Sequence, residues 1–105
     1  MVLAEFKTAY LQREIPVKAN VSAKLVVGQV CTYNATTKAL TALSDGTAVA
    51  NGHYIVAQSD VTMGDSHVPV ERRNYGYNNE VAAGNDKLVA LYLITDVTDV
   101  ISKVV

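Results

Sequence analysis

Two histidines, one serine and one cysteine are the side chains that could begin a catalytic or metal site. Ser66 and His67 are neighbours after Gly64 and Asp65, but a serine triad is defined by geometry, and no G-x-S-x-G turn occurs. A metal held by His53 and His67 would need further ligands, and neither C-x-x-C nor H-E-x-x-H spacing is present. We predict polar turns here, no metal or cofactor, and no enzymatic activity. A hydrolase would require both histidines to converge in one pocket.

Cys31 is the single cysteine of the 105-residue chain, so it can form no internal disulfide. It lies in the apolar run from Val26 to Tyr33. Small apolar surroundings of this kind are typical of a buried thiol that packs as a hydrophobic residue. We predict that role for Cys31.

The stretch Arg72 to Glu80 has the most unusual local composition in the chain. It holds two of the three arginines and two of the six tyrosines, with three asparagines and one glycine. Tyrosine and arginine are enriched in the contact residues that dominate binding energy. Arg72, Arg73, Tyr75 and Tyr77 are therefore candidate partner-binding residues, although a solvated loop with incidental aromatic side chains has the same composition.

The N-terminal segment offers a second candidate contact, formed by Phe6, Tyr10 and Arg13. The apolar side chains of residues 1–14 recur at helical spacing, which is compatible with a short amphipathic helix. The alternative is an extended arm that becomes ordered on a partner. Proline at position 16 ends the segment in either case, because it disfavours the α conformation of Ile15.

Composition favours an all-β fold. Seventeen valines and nine threonines are β-branched and suit a pleated surface, and 105 residues are enough for one domain with one core. The net charge is −1 with scattered basic residues, so the basic stripe of a nucleic-acid binder is missing. The apolar runs are shorter than a membrane span, and the N-terminus lacks the pattern of a secretory signal.

Alternation and turn residues predict the order of the strands. Val17, Ala19, Val21 and Ala23 share one side of the clearest period-two segment. Further strands are predicted over residues 30–33, 39–43, 53–58, 61–63, 67–71 and 87–95. A turn or bulge is predicted at 28–29, a polar connector at 34–38, and turns at 44–46, 51–52 and 84–86. Asn51-Gly52 predicts a type I′ turn.

The run Lys87 to Thr95 is apolar on both faces, which predicts a central strand or one covered by a neighbour. The tail from Asp96 to Val105 fits two structures equally well. Val97, Val100, Ile101 and Val104 have helical spacing, yet all four are β-branched. A strand and a short helix both remain open for the tail.

Three stretches together resemble a known family: LVVGQVCTYNATTKALTAL, then GTAVANGHYIVAQSDVTMGDSHVPVERR, then KLVALYLIT. They share a β-run, a G-x-V-x-x-Y segment, a short polar hairpin, a G…I-V strand and a V-P-V strand. Between Val17 and Thr95 this organisation resembles the head decoration proteins of tailed bacteriophages, of the head-fibre and cementing type.

The resemblance implies a virion structural protein, made in the host cytoplasm, that decorates or fastens the capsid exterior. It implies a homotrimer whose partners are its own copies and the major capsid protein, with no nucleic acid or membrane. The fold would be a small β-barrel or β-sandwich of antiparallel strands over residues 17–105, preceded by an arm or short helix over residues 1–16. The alternative function is a carbohydrate- or ligand-binding β module that uses the loop from Arg72 to Asn79.

Overall fold

The computed structural model describes residues 1–8, 13–58 and 80–105. Apart from one 3₁₀ turn at Val97–Asp99, every regular element in these ranges is a strand, which confirms the prediction of a small all-β domain. The strands are β1 Val2–Phe6, β2 Ile15–Val21, β3 Leu25–Val26, β4 Val30–Asn34, β5 Ala39–Ala42, β6 Tyr54–Gln58, β7 Glu80–Val81, β8 Gly84–Leu93 and β9 Val100–Val104. The strands predicted at 61–63 and 67–71 lie outside the described residues.

Five strands close into a barrel in the order β2-β5-β4-β6-β8, with β8 pairing back to β2. All described strand pairs are antiparallel except β2 and β5, which pair in parallel through Asn20–Ala39 and Val21–Leu40. The predicted antiparallel pairing is thus confirmed for every described strand pair except this one. This pair can be parallel because the chain makes β3 and β4 before it returns as β5, which supplies the long connection that a parallel pair needs.

The barrel interior is filled by alternate residues from all five barrel strands, together with Leu25 of β3 and Val81 of β7, which pair with each other outside the ring. This barrel core consists of small and medium apolar side chains: Ala19, Val21, Leu25, Cys31, Leu40, Val56, Val81, Val89 and Leu91. On β2 the predicted alternation is confirmed up to Val21, since Ala19 and Val21 are buried while Lys18 is exposed. It is wrong at Ala23, which is exposed and lies beyond the end of the strand. Cys31 is fully buried, as predicted.

Strands β1 and β9 form a separate two-stranded ribbon, paired from Val2–Val104 to Phe6–Val100. The ribbon lies against the barrel exterior and encloses a second cluster, the ribbon core. Its buried members are Val2, Ala4, Val30, Leu43, Ile55 and Ile94, with Phe6, Val49, Tyr92, Val97 and Val100 packed around them. Strands β4, β6 and β8 thus bury side chains on both faces. Since β8 pairs with β2 and β6, and Val89, Ala90 and Leu91 are buried in succession, the prediction of a central strand with two apolar faces is confirmed.

The structure decides between the alternatives at both ends of the chain. Val2–Phe6 is a strand rather than a helix, and the tail is a 3₁₀ turn followed by strand β9. The helical spacing misleads here because residues four apart also share one face of a strand. Residues 9–12 lie outside the described ranges, and partner contact by residues 1–16 stays a prediction.

The turn at Asn51-Gly52 exists, but its predicted type is wrong. The His53 amide donates to the Ala50 carbonyl at 3.3 Å, and of the two central residues only Gly52 has a positive φ, +92°. This is the pattern of a type II turn. A type I′ turn suits two directly paired strands, whereas β6 pairs with β4 and β8 and not with the residues before the turn.

The predicted turn at residues 84–86 is wrong, because these residues form the beginning of β8. The register against β2 shifts between Ala19 and Val21, and Asp86 has a φ of +56°. An aspartate tolerates this left-handed conformation, so the turn-like composition produces a β-bulge instead. The bulge is stabilised by the Asn20 side chain, whose Oδ1 accepts a hydrogen bond from the Asp86 amide at 3.1 Å.

Candidate interaction surface

Phe6 is a packing residue of the ribbon core. Its ring lies edge-to-face against Tyr92, with 5.7 Å between the centroids and 90° between the planes. It is half-buried, and its strand neighbour Ala4 is buried beside it. The candidate contact residue Phe6 therefore stabilises the ribbon on the barrel.

Arg13 lies exposed just before β2. The adjacent Glu14 carboxylate is near the Tyr92 phenol, whose pKa is raised first by burial and then by that carboxylate. The structure thus places the segment that carries Arg13 close to the Phe6–Tyr92 pair. The other candidate contact residues, Tyr10, Arg72, Arg73, Tyr75 and Tyr77, lie outside the described residues.

Each described side chain that could take part in catalysis makes a contact that stabilises the fold. His53 is half-buried, and its Nδ1 accepts the Ala50 amide at 3.1 Å, so the ring caps the type II turn. Burial raises the pKa of the Cys31 thiol from 9.0 to about 12, which keeps it protonated and unreactive at neutral pH. Within residues 1–8, 13–58 and 80–105, no three His, Cys, Asp or Glu side chains are grouped to hold a metal ion. Ser66 and His67 lie outside the described residues.

In the described part of the chain, the outer edge of β9 is open along all five residues of the strand. The barrel strands pair with one another in a closed ring. The outer edge of β1 is covered by the turn before β4, because the Ala4 amide donates to the Gly28 carbonyl at 2.9 Å and Leu3 forms a bridge with Gln29. Strand β9 has β1 as its one described partner.

The alternation of hydrogen bonds between β1 and β9 shows which backbone groups of β9 point away from β1. The Lys7 amide donates to the Asp99 carbonyl at 2.9 Å, and the Val105 amide donates to the Met1 carbonyl at 2.7 Å. Antiparallel bonds recur at every second residue, so odd-numbered residues of β9 bond to β1. The even-numbered residues Val100, Ser102 and Val104 direct their backbone groups outward.

Apolar side chains surround the ribbon. Val27, Ile101 and Val104 are 40 %, 54 % and 58 % exposed, and Met1 and Val105 at the ends of the ribbon are exposed as well. Ile15 and Leu88 are exposed on the barrel strands β2 and β8. A groove of about 310 Å³ lies between the ribbon and the turn before β4. It is lined by Leu3, Ala4, Glu5, Val27, Gly28, Ile101, Ser102 and Lys103.

A second groove of about 220 Å³ continues along β1 and shares Ala4, Glu5, Val27 and Gly28 with the first. On the other side, about 400 Å³ separates the end of β9 from residues 45–49. The ribbon is therefore flanked by concave surface on both sides. We call the ribbon with its grooves the ribbon surface.

The ribbon surface was not identified from the sequence. The tail had one usable signal, the polar pair Ser102-Lys103 inside an apolar β-branched run, because lysine is common on exposed edge strands. The pairing of β9 with β1 joins opposite ends of the chain, and local patterns do not reveal such a pairing.

Comparison of the chain with family models, with curated proteins and with solved structures finds no match. In the described ranges, no helix has the length and apolarity needed to cross a membrane. The candidate functional surface is thus defined by geometry alone.

Proposed function

We propose that this chain is a non-enzymatic structural protein of a tailed-bacteriophage virion, which attaches to the capsid exterior as a homo-oligomer. The proposal rests on the sequence resemblance and on one structural observation in particular. A closed barrel carries an apolar ribbon surface with an open strand edge. Such a surface suits adhesion to other protein chains, because backbone groups and aliphatic side chains are both available for contact.

The symmetry of a capsid makes weak single contacts sufficient. Many copies bind equivalent positions, and linked copies gain affinity from one another without any new type of contact. A rigid β body with two apolar cores meets the mechanical requirement of this role. The resemblance implies three copies in the homo-oligomer, and this number is an expectation from the resemblance alone.

The test is co-sedimentation with purified coat-protein shells of the phage whose genome carries this gene. We expect a fixed number of copies per coat subunit, and genes for terminase, portal and coat protein nearby. Absence of binding at micromolar concentration would contradict the proposal.

Two matched variants locate the contact. Val27→Glu puts a charge into the apolar groove beside β1, and we expect it to weaken shell binding at least tenfold. Thr41→Glu puts the same charge on an exposed residue of β5, away from the ribbon, and should bind as the original chain does. Equal binding by both variants would exclude this groove from the contact.

The ligand-binding alternative depends on Arg72, Arg73, Tyr75 and Tyr77, which lie outside the described residues. It makes a separate prediction, which a glycan array can check. Replacing both tyrosines with alanine should abolish binding of any glycan that the array detects.

A further inference from the structure

The open outer edge of β9 constrains how two copies of this chain can pair. Ring closure places the barrel strands edge to edge, although β2 pairs with β5 only through Asn20 and Val21. The turn at Gly28 bonds the outer edge of β1 at Ala4. Strands β3 and β7 contain two residues each. The edge of β9 is open over all five of its residues in the described part of the chain, so the same edge of another copy matches it in length.

We propose that two copies of this chain pair antiparallel along β9, about a twofold axis at Ser102. The two ribbons then form one four-stranded sheet in the order β1-β9-β9-β1. Ser102 exchanges backbone hydrogen bonds with Ser102 of the second copy. The Val104 amide donates to the carbonyl of Val100 in the second copy, and the symmetric bond forms on the other side.

The backbone groups available on β9 fit this register. Ser102 and Val104 direct both the amide and the carbonyl outward, because the hydrogen bonds to β1 alternate along the strand. The Val100 amide is already donated to the Val97 carbonyl. The proposed register uses only the carbonyl of Val100, so the pairing leaves the 3₁₀ turn intact.

The side chains of β9 are complementary to themselves in the same register. Val104, which is 58 % exposed, falls opposite Val100 of the second copy, and Lys103 falls opposite Ile101. Glu5 pairs with Ile101 across the ribbon, so it lies in the same row as Lys103 of the second copy, about 10 Å away over two strand spacings. The two halves of the sheet thus place opposite charges in one row.

Other registers are less favourable. A twofold axis at Lys103 would set the two lysines directly opposite each other, which destabilises a strand pair. An axis at Ile101 would leave Val104 without a partner. The axis at Ser102 aligns all five residues of the strand.

A pairing of this kind is isologous and closes at two copies. The inference therefore goes beyond the proposed function and differs from the trimer that the resemblance implies. Sedimentation equilibrium separates the two, since it reports the mass of two or of three chains of 11.3 kDa. We expect two.

The first experiment uses Ser102→Pro with Ser102→Ala as its matched control. Proline removes an outward amide, and edge strands tolerate proline where the amide does not serve the ladder. We expect Ser102→Pro to weaken dimerisation at least tenfold with an unchanged circular dichroism spectrum, while Ser102→Ala stays dimeric. Equal dimerisation by the two variants would overturn the proposal.

The second experiment is oxidative cross-linking, which does not depend on the proline variant. A cysteine at the axis lies next to its own copy, so Ser102→Cys should give a covalent dimer. Ser22→Cys is the control, because Ser22 is also exposed but lies outside the ribbon. The native Cys31 is buried and does not interfere. Equal cross-linking at both positions would overturn the proposal.

The remaining outcomes separate this inference from the proposed function. A monomer or a trimer at 100 µM (about a hundredfold above a micromolar Kd) would overturn the pairing. A monomer that binds shells, and loses binding on Ser102→Pro, would show that a coat-protein strand occupies the β9 edge instead. A dimer that binds no shells would support the pairing and contradict the proposed function.

Discussion

Cys31 makes the stability of this protein depend on pH in the alkaline range. Burial raises the pKa of its thiol from 9.0 to about 12, so the folded chain keeps a proton that the unfolded chain loses first. The stabilisation is complete below pH 9 and is lost as the pH rises to 12, with a slope of at most about 1.4 kcal/mol per pH unit. Urea unfolding at several pH values measures it. Cys31→Ala is the control, because it removes the thiol and keeps every other titratable group, and an unchanged slope in that variant would contradict the assignment.

Asn20 joins three segments through one side-chain amide. Its Nδ2 donates to the Thr37 carbonyl at 3.2 Å, and its Oδ1 accepts the Asp86 amide at 3.1 Å. We expect Asn20→Ala to lower the free energy of unfolding by about 1–2 kcal/mol, since both bonds are lost and the bulge loses its support. Asn85→Ala is the matched control, because Asn85 is an exposed neighbour in the bulge. An equal loss in both variants would exclude a role for the Asn20 bonds.

At the scale of elements, the turn before β4 determines where the ribbon lies. Gly28 has a φ of +94°, donates its amide to Val56 and accepts the Ala4 amide, both at 2.9 Å. A methyl group there would touch nothing within 4 Å, so the cost of Gly28→Ala is that of the backbone conformation alone, about 1–2 kcal/mol. Gly46→Ala also meets open space but has no positive φ, so we expect it to be neutral or slightly stabilising. Chemical denaturation measures both, and a neutral Gly28→Ala would contradict the argument.

The elements also show how far the sequence could predict the fold. Strands β2, β4, β5, β6 and β8 follow from alternation and turn residues, because each reflects neighbours in the chain. The ribbon does not follow, since Val2 and Phe6 satisfy the helical and the extended period equally and the partner of β1 is about a hundred residues away. The bulge at Asp86 has the composition of a turn. The candidate residue Phe6 was found because it is aromatic, but its contact with Tyr92 depends on that same distant pairing.

At the scale of the whole molecule, two apolar cores share three strands, and this arrangement predicts two levels of stability. The barrel core is enclosed on all sides, whereas the ribbon core is covered by two strands that pair opposite ends of the chain. Local opening free energies follow such differences in enclosure. We expect the amides of Leu3 and Glu5, which bond to β9, to exchange hydrogen through an opening that leaves the barrel intact.

Two substitutions separate these levels in a native-state hydrogen-exchange experiment. Phe6→Ala removes the edge-to-face contact with Tyr92, which is worth about 0.5–1.5 kcal/mol, and more through lost burial. Exchange at Leu3 and Glu5 should accelerate at least about threefold, since 1.4 kcal/mol is tenfold, with Leu91 much less affected. Tyr33→Ala is the matched control, because Tyr33 makes a similar contact with Tyr54 on the barrel core, at 6.3 Å and 85°. It should accelerate exchange at Leu91, since the Leu91 amide lies in the barrel strand β8 and exchanges through unfolding of the barrel. If Phe6→Ala accelerates hydrogen exchange equally at Leu3, Glu5 and Leu91, the barrel and the ribbon unfold as one cooperative unit. The prediction of two levels of stability is then wrong.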